Sequence, residues 1–173
     1  MKKLSVSIAV MFVGVALFMM LGLPACRQSG EKQGEKAMEK ILEESSGEKT
    51  DVDIEGQDVT IENESGTVKI HTGEDTWPAN APTDVPELKK GKIIAITTHD
   101  SEEVNNWNIR YSGVGIEALD TYAAELKSRG FKTQTMKMPK GGMVNGEKGN
   151  LVVMLTVGEG DKISVVVISE MKK

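Results

Sequence analysis

Asp51, Asp53, Glu55, Gly56 and Glu62 occupy positions 1, 3, 5, 6 and 12 of the stretch "DVDIEGQDVTIE". That is the spacing with which a helix-flanked loop surrounds calcium with oxygen ligands. Position 5 is Glu rather than Asp or Asn, and position 8 is the polar Asp58. Val52, Ile54, Val59 and Ile61 also alternate with polar residues, as strands require, so the carboxylates are expected to face water on a hairpin. Gly113, Gly115 and Ala118 imitate the glycine turn of a dinucleotide site. The next strand, "FKTQTMKMP", ends without the acidic residue that would hold a ribose. In "GGMVNGEKGN", Gly141 and Gly146 have phosphate-loop spacing, but Glu147 stands where lysine would meet the phosphates, and a hairpin loop is expected instead. The chain has two histidines. His71 ends a strand, and His99 precedes Asp100, Glu102 and Glu103 in an expected hairpin turn. With no second His or Cys beside it, that group lacks the donors of a metal or catalytic centre. No catalytic, cofactor-binding or metal-ligating residue is assigned on these patterns, and no cofactor is implied.

Cys26 is the one residue whose position implies chemistry. Lys2 and Lys3 precede an uncharged run over residues 4–25, which closes in Leu23-Pro24-Ala25-Cys26. A basic start, an apolar run and a small residue, in that order, make a signal peptide. A cysteine placed just after the small residue adds a sulfur nucleophile that can be diacylglycerated before cleavage. The pattern resembles the lipobox of bacterial lipoproteins, in which that cysteine becomes the lipidated first residue. Residues 1–25 are thus expected as signal peptide and 26–36 as a flexible polar tether. The alternative is an uncleaved anchor, because the uncharged run is long enough to span a bilayer. Arg27 follows the cysteine, which resembles the default sorted to the outer membrane, facing the periplasm, in cells with two membranes. In cells with one, the outer face of the membrane is expected. Lipidation of the only cysteine leaves none for a disulfide, so packing alone must hold the fold.

Charge narrows the partners. The chain carries 21 basic and 26 acidic side chains. Without a basic stripe, so acidic a protein does not suit nucleic acid. Residues 27–75 hold six basic and fourteen acidic side chains, whereas residues 122–173 hold nine basic and five acidic.

The elements follow from periodicity. "EKAMEKILEE" places Ala37, Met38, Ile41 and Leu42 at helical spacing. Val52/Ile54, Val59/Ile61 and Val68/Ile70 then alternate around the turns "EGQD" and "NESG", which predicts a three-stranded meander over the rest of 37–73. Prolines at 78, 82 and 86 mark 74–91 as an extended connector outside any ladder, with Trp77 docked on a neighbour. The remainder, 92–173, is expected as an α+β domain. Its strands are 92–98, 107–111, 131–138, 151–157 and 162–169, with one helix over 116–129 carrying Ile116, Leu119, Ala123 and Leu126 inward. The order ββαβββ gives an antiparallel sheet with one packed helix. Gly130 suits the left-handed cap of that helix. The nearly continuous apolar runs of the last two strands predict cover on both faces of the sheet.

Taken together, the lipobox, the "EKAMEKILE" helix, the "DVDIEGQDVTIENESGTVKI" meander, the "WPANAPTDVP" connector and the "YAAELKSRGF" helix end resemble a group of uncharacterised bacterial lipoproteins with a C-terminal domain of unknown function. The resemblance spans nearly the whole chain and implies no site residues. The expected function is a lipid-anchored envelope protein with a non-enzymatic binding or scaffolding role. It would hold the membrane through its lipidated N-terminus and meet an envelope protein as partner. The alternative expectation is an envelope hydrolase or metal-dependent enzyme whose site no motif reveals.

Overall fold

The computed structural model describes residues 31–73, 76–158 and 163–172, without the side chains of Glu31 and Gln33. Cys26, the run 4–25 and Lys162 lie outside the described residues. Helix α1 (Glu31–Ser46) is followed by strands β1 (Thr50–Glu55), β2 (Asp58–Asn63) and β3 (Gly66–Thr72). After the connector come β4 (Lys92–Asp100), β5 (Val104–Ser112) and helix α2 (Ala118–Ser128). Strands β6 (Lys132–Met138), β7 (Gly141–Lys148), β8 (Leu151–Val157) and β9 (Ser164–Met171) complete the described chain. It is an α+β fold, dominated by antiparallel sheet.

The nine described strands form one sheet in the order β1-β2-β3-β4-β5-β9-β8-β7-β6. The meander is therefore continuous with the C-terminal strands, because β3 pairs with β4 through Val68↔His99 and Ile70↔Thr97. The connector leaves the sheet after β3 and returns the chain to the neighbouring position. The expected ββαβββ order is corrected to ββαββββ by the extra strand β7, which forms where a hairpin loop was expected. Its glycines are the reason that both readings fit the sequence. Gly142 and Gly146 face α2, and a Cβ on them would lie 2.6 Å from Leu119 Cδ1 and 3.1 Å from Leu126 Cδ1. The glycines thin the strand so that the helix can sit down on it, with Val144 fully buried between them.

Cross-strand partners share a face, so the ladders assign every side chain to one of two sides. One row runs Ile54, Val59, Ile70, Thr97, Asn108, Val167, Met154, Asn145 and Gln134 across all nine strands. Its alternate positions, Trp107, Ile109, Val166, Ile168, Val153 and Leu155, point the other way into the main core. This core side is the first face, and the side of the row from Ile54 to Gln134 is the second. Helix α2 covers the first face with Ala118, Leu119, Tyr122, Ala123 and Leu126. The connector covers it too, contributing Ala81, Val85 and Leu88, with Trp77 packed alongside. Trp107 Nε1 donates to Asn80 Oδ1 at 3.1 Å and Tyr122 Oη to the Pro86 carbonyl at 3.0 Å. Proline denies the connector a place in a ladder, and these bonds pin it down as cover instead.

Helix α1 lies on the opposite face, at the meander end. Leu42 and Met38 pack on Val52, Ile54, Val59, Ile61 and Ile70. Ile41, expected in this stripe, is 60% exposed. The helix also begins at Glu31, so 31–36 of the expected tether is helical. The two cores thus sit on opposite sides of one sheet, and the expectation of cover on both faces of the C-terminal strands is corrected. Val165 and Val167 are only half-buried, because α2 and the connector share one face and α1 reaches no further than the meander. Likewise Ile116 precedes α2 and is 42% exposed. The C-terminal end of α2 follows the expected chemistry. Gly130 has φ 88, and Phe131 N donates back to the Leu126 carbonyl at 3.0 Å.

Candidate functional site

The calcium-like stretch folds as the β1–β2 hairpin. Asp51 and Glu62, first and last of the pattern, are directly opposite partners, and Gly56, at φ 65, forms the two-residue turn with Gln57. A loop wraps its ligands around an ion, whereas this ladder spreads them along one face at strand spacing. Asp51, Asp53 and Glu62, together with Glu35 and Glu39 of α1, line an open groove of about 460 Å³ at the sheet edge. Among the described residues, no three His, Cys, Asp or Glu side chains converge as a metal would require.

The other chemistry-bearing residues separate similarly. His99 and Asp100 belong to β4 rather than to the following turn, so strand alternation sends them to opposite faces. His99 shares the second face with Asn106, while Asp100 pairs with Lys172 Nζ at 2.6 Å on the first. Glu102 and Glu103 are exposed in the turn beyond. His71 Nδ1 lies 3.2 Å from Asp58 Oδ1 on the exposed side of the meander. Gly113, at φ 72, and Gly115 form the strand-to-helix turn, in which Ala118 N donates to the Gly115 carbonyl at 3.0 Å. Glu147 is exposed on the second face, opposite Val152 and Lys132.

Buried phenols offer no acid–base chemistry either. Burial, reinforced by Glu87, pushes Tyr111 well above the usual phenol range. Burial also pushes Tyr122 up, with Tyr111 and Glu125 adding to the effect. Both therefore stay protonated at neutral pH, and Tyr122 serves as a hydrogen-bond donor to the connector.

What the fold does assemble is an open surface on the second face between β4 and β8. Thr97, His99, Asn106, Asn108 and Arg110 form its polar half, and Val165, Val167, Met154 and Val152 its apolar half. Ser169 Oγ donates to Asn106 Oδ1 at 2.6 Å and ties the two halves together. Apart from exposed Val152, the surface is half-buried by its own neighbours, and it is covered by neither described helix. Motif reading missed it. The available signal was the alternation in "NNWNIRY", where Asn106, Asn108 and Arg110 interleave with core Trp107, Ile109 and Tyr111.

Cys26 lies outside the described residues. Among those described, no helix is long and apolar enough to cross a membrane. Compared with known proteins, the chain matches no family model, no curated protein and no solved structure.

Proposed function

We propose that this chain is a lipid-anchored cell-envelope protein with a non-enzymatic binding or scaffolding role, meeting a protein partner on the second face of its sheet. The observation that carries a binding role is the open surface around Asn108 and Val167. A face with polar donors on one side and valines and a methionine on the other resembles the mixed make-up of protein contact surfaces. An open sheet face suits a broad protein contact better than a small molecule, which binds in a concave site. Anchoring rests on Leu23-Pro24-Ala25-Cys26. A single acyl chain holds a membrane only marginally, so stable anchoring needs more than one chain on Cys26.

Two measurements test the reading. Metabolic labelling with a fatty-acid analogue should mark the protein, and Cys26→Ser should abolish the label. Label that survives the substitution refutes lipidation at this site. A photo-crosslinking amino acid at Val167 should give a discrete protein adduct in intact cells, whereas one at Lys69, exposed on the first face of the meander, should not. Adducts of equal yield at both positions, or at neither, overturn the assignment of the surface.

A further inference from the structure

Strand β1 is one edge of the sheet, and an edge strand presents unpaired N–H groups that a foreign strand can meet. The two-residue turn after Glu55 makes Glu55 and Asp58 a hydrogen-bonded pair, so by alternation Thr50, Val52 and Ile54 turn their N–H groups outward. All three are met by carboxylates of α1. Thr50 N donates to Glu43 Oε1 at 3.3 Å, Val52 N to Glu39 Oε1 at 3.4 Å and Ile54 N to Glu35 Oε1 at 3.3 Å. The match is geometric. Four helical residues rise about 6.0 Å and two strand residues about 6.8 Å, so glutamates at every fourth position keep step with every second amide. Met38 and Leu42 on the adjoining stripe seat the helix on the meander and hold the glutamates at the edge.

Among the described residues, the opposite edge, β6, has no such guard. Met136 is 57% exposed there, and the hairpin to β7 turns Thr133, Thr135 and Lys137 outward by the same alternation. The two edges are also complementary in charge. Asp51, Asp53 and Glu55 stand on one, and Lys132 on the other beside Lys137, whose ammonium is held by Asp120 of α2. In the antiparallel register that sets Val52 against Thr135, Glu55 falls opposite Lys132 of the next copy.

We infer that α1 is a strand surrogate, whose glutamate ladder closes the β1 edge against β6 of a second copy of this chain. Such a contact is head-to-tail. It would not close on itself, and each copy added would expose a fresh edge. The helix that covers the meander therefore also holds the protein back from open-ended sheet extension.

The test is Glu35→Ala/Glu39→Ala/Glu43→Ala in the full chain in detergent micelles. At concentrations low enough that the variant is still a monomer by sedimentation, amides of Thr50, Val52 and Ile54 should exchange with solvent about tenfold faster or more, as loss of a charged acceptor implies, while β8 amides keep their protection. Mass by sedimentation should rise beyond a dimer with concentration. Adding Thr135→Pro, which removes an outward N–H that the β6–β7 ladder does not use, should return the mass to that of the unaltered chain. The corresponding triple Glu→Gln variant keeps the acceptor oxygens and should behave like the unaltered chain. Unchanged exchange, unchanged mass, association indifferent to Thr135→Pro, or a glutamine variant that associates equally would each overturn the inference. Should the triple alanine variant lose β8 protection, Glu39→Ala alone decides the matter. Val52 must then exchange faster than in the unaltered chain, and an unchanged rate overturns the inference.

Discussion

Leu126 and Gly146 form the contact on which the seating of α2 depends, and a double-mutant cycle measures it. Leu126 is fully buried, and a methyl built on Gly146 would lie 3.1 Å from its Cδ1 and 3.5 Å from Phe131 Cδ1. Leu126→Ala removes a side chain pressed directly onto backbone, where little can relax into the space, so the cost should be about 3–4 kcal/mol. Gly146→Ala does the reverse. Overpacking costs roughly 1–3 kcal/mol, partly offset by about 0.4–1 kcal/mol from the lower entropy of the unfolded chain, leaving a net loss of about 1 kcal/mol. In the double variant the new methyl enters the space that the leucine vacates. The combined loss should then fall short of the sum by at least ~1 kcal/mol, well above the ~0.5 kcal/mol within which independent sites add. Equilibrium urea denaturation of all four proteins reads these differences as midpoint shifts at constant slope. Additive losses, or a Leu126→Ala variant as stable as the parent, would refute the seating of the helix on the glycines of β7.

Two further outcomes follow from the site geometry. Because burial raises Tyr111 and Tyr122, the unfolded state releases phenol protons at a lower pH than the folded state does. Stability should be level with respect to these groups below about pH 9, then fall above about pH 10 by up to roughly 1.4 kcal/mol per pH unit for each phenol. Tyr122→Phe should remove about half that slope, and denaturation midpoints between pH 8 and 11 would show it. Millimolar calcium and a chelator should give the same melting midpoint, since the carboxylates of 51–62 lie along a ladder rather than around an ion. A bound ion at ~100 times its dissociation constant would add about 2.7 kcal/mol, so a rise of several degrees that Glu62→Gln removes would contradict the geometry.

Local order was written plainly in this chain. The alternation of Val52/Ile54 and Val59/Ile61, the helical spacing of Leu119, Ala123 and Leu126, and Gly130 after the helix each act over a few residues, so the residues themselves determine them. The separation of His99 from Asp100 was not legible, because the strand reads as ending at residue 98 and only its pairing with β3 and β5 carries it on to Asp100, where neighbours point apart. Where each apolar face is buried was not legible. Alternation in β8 and β9 says that two faces differ, but only the order of strands in the sheet decides which one α2 and the connector take. The "GGMVNGEK" strand was hidden for a related reason. Glycine weakens a strand by its own propensity, and its use here lies in contacts with Leu119 and Leu126, more than fifteen residues away in sequence. The glutamate ladder of α1 shows the same division. Its four-residue spacing is visible in the sequence as one polar helix stripe among others. That the stripe meets the outward amides of Thr50, Val52 and Ile54 is decided only when β1 becomes the edge of the sheet, because an inner strand would have spent those donors on a neighbour.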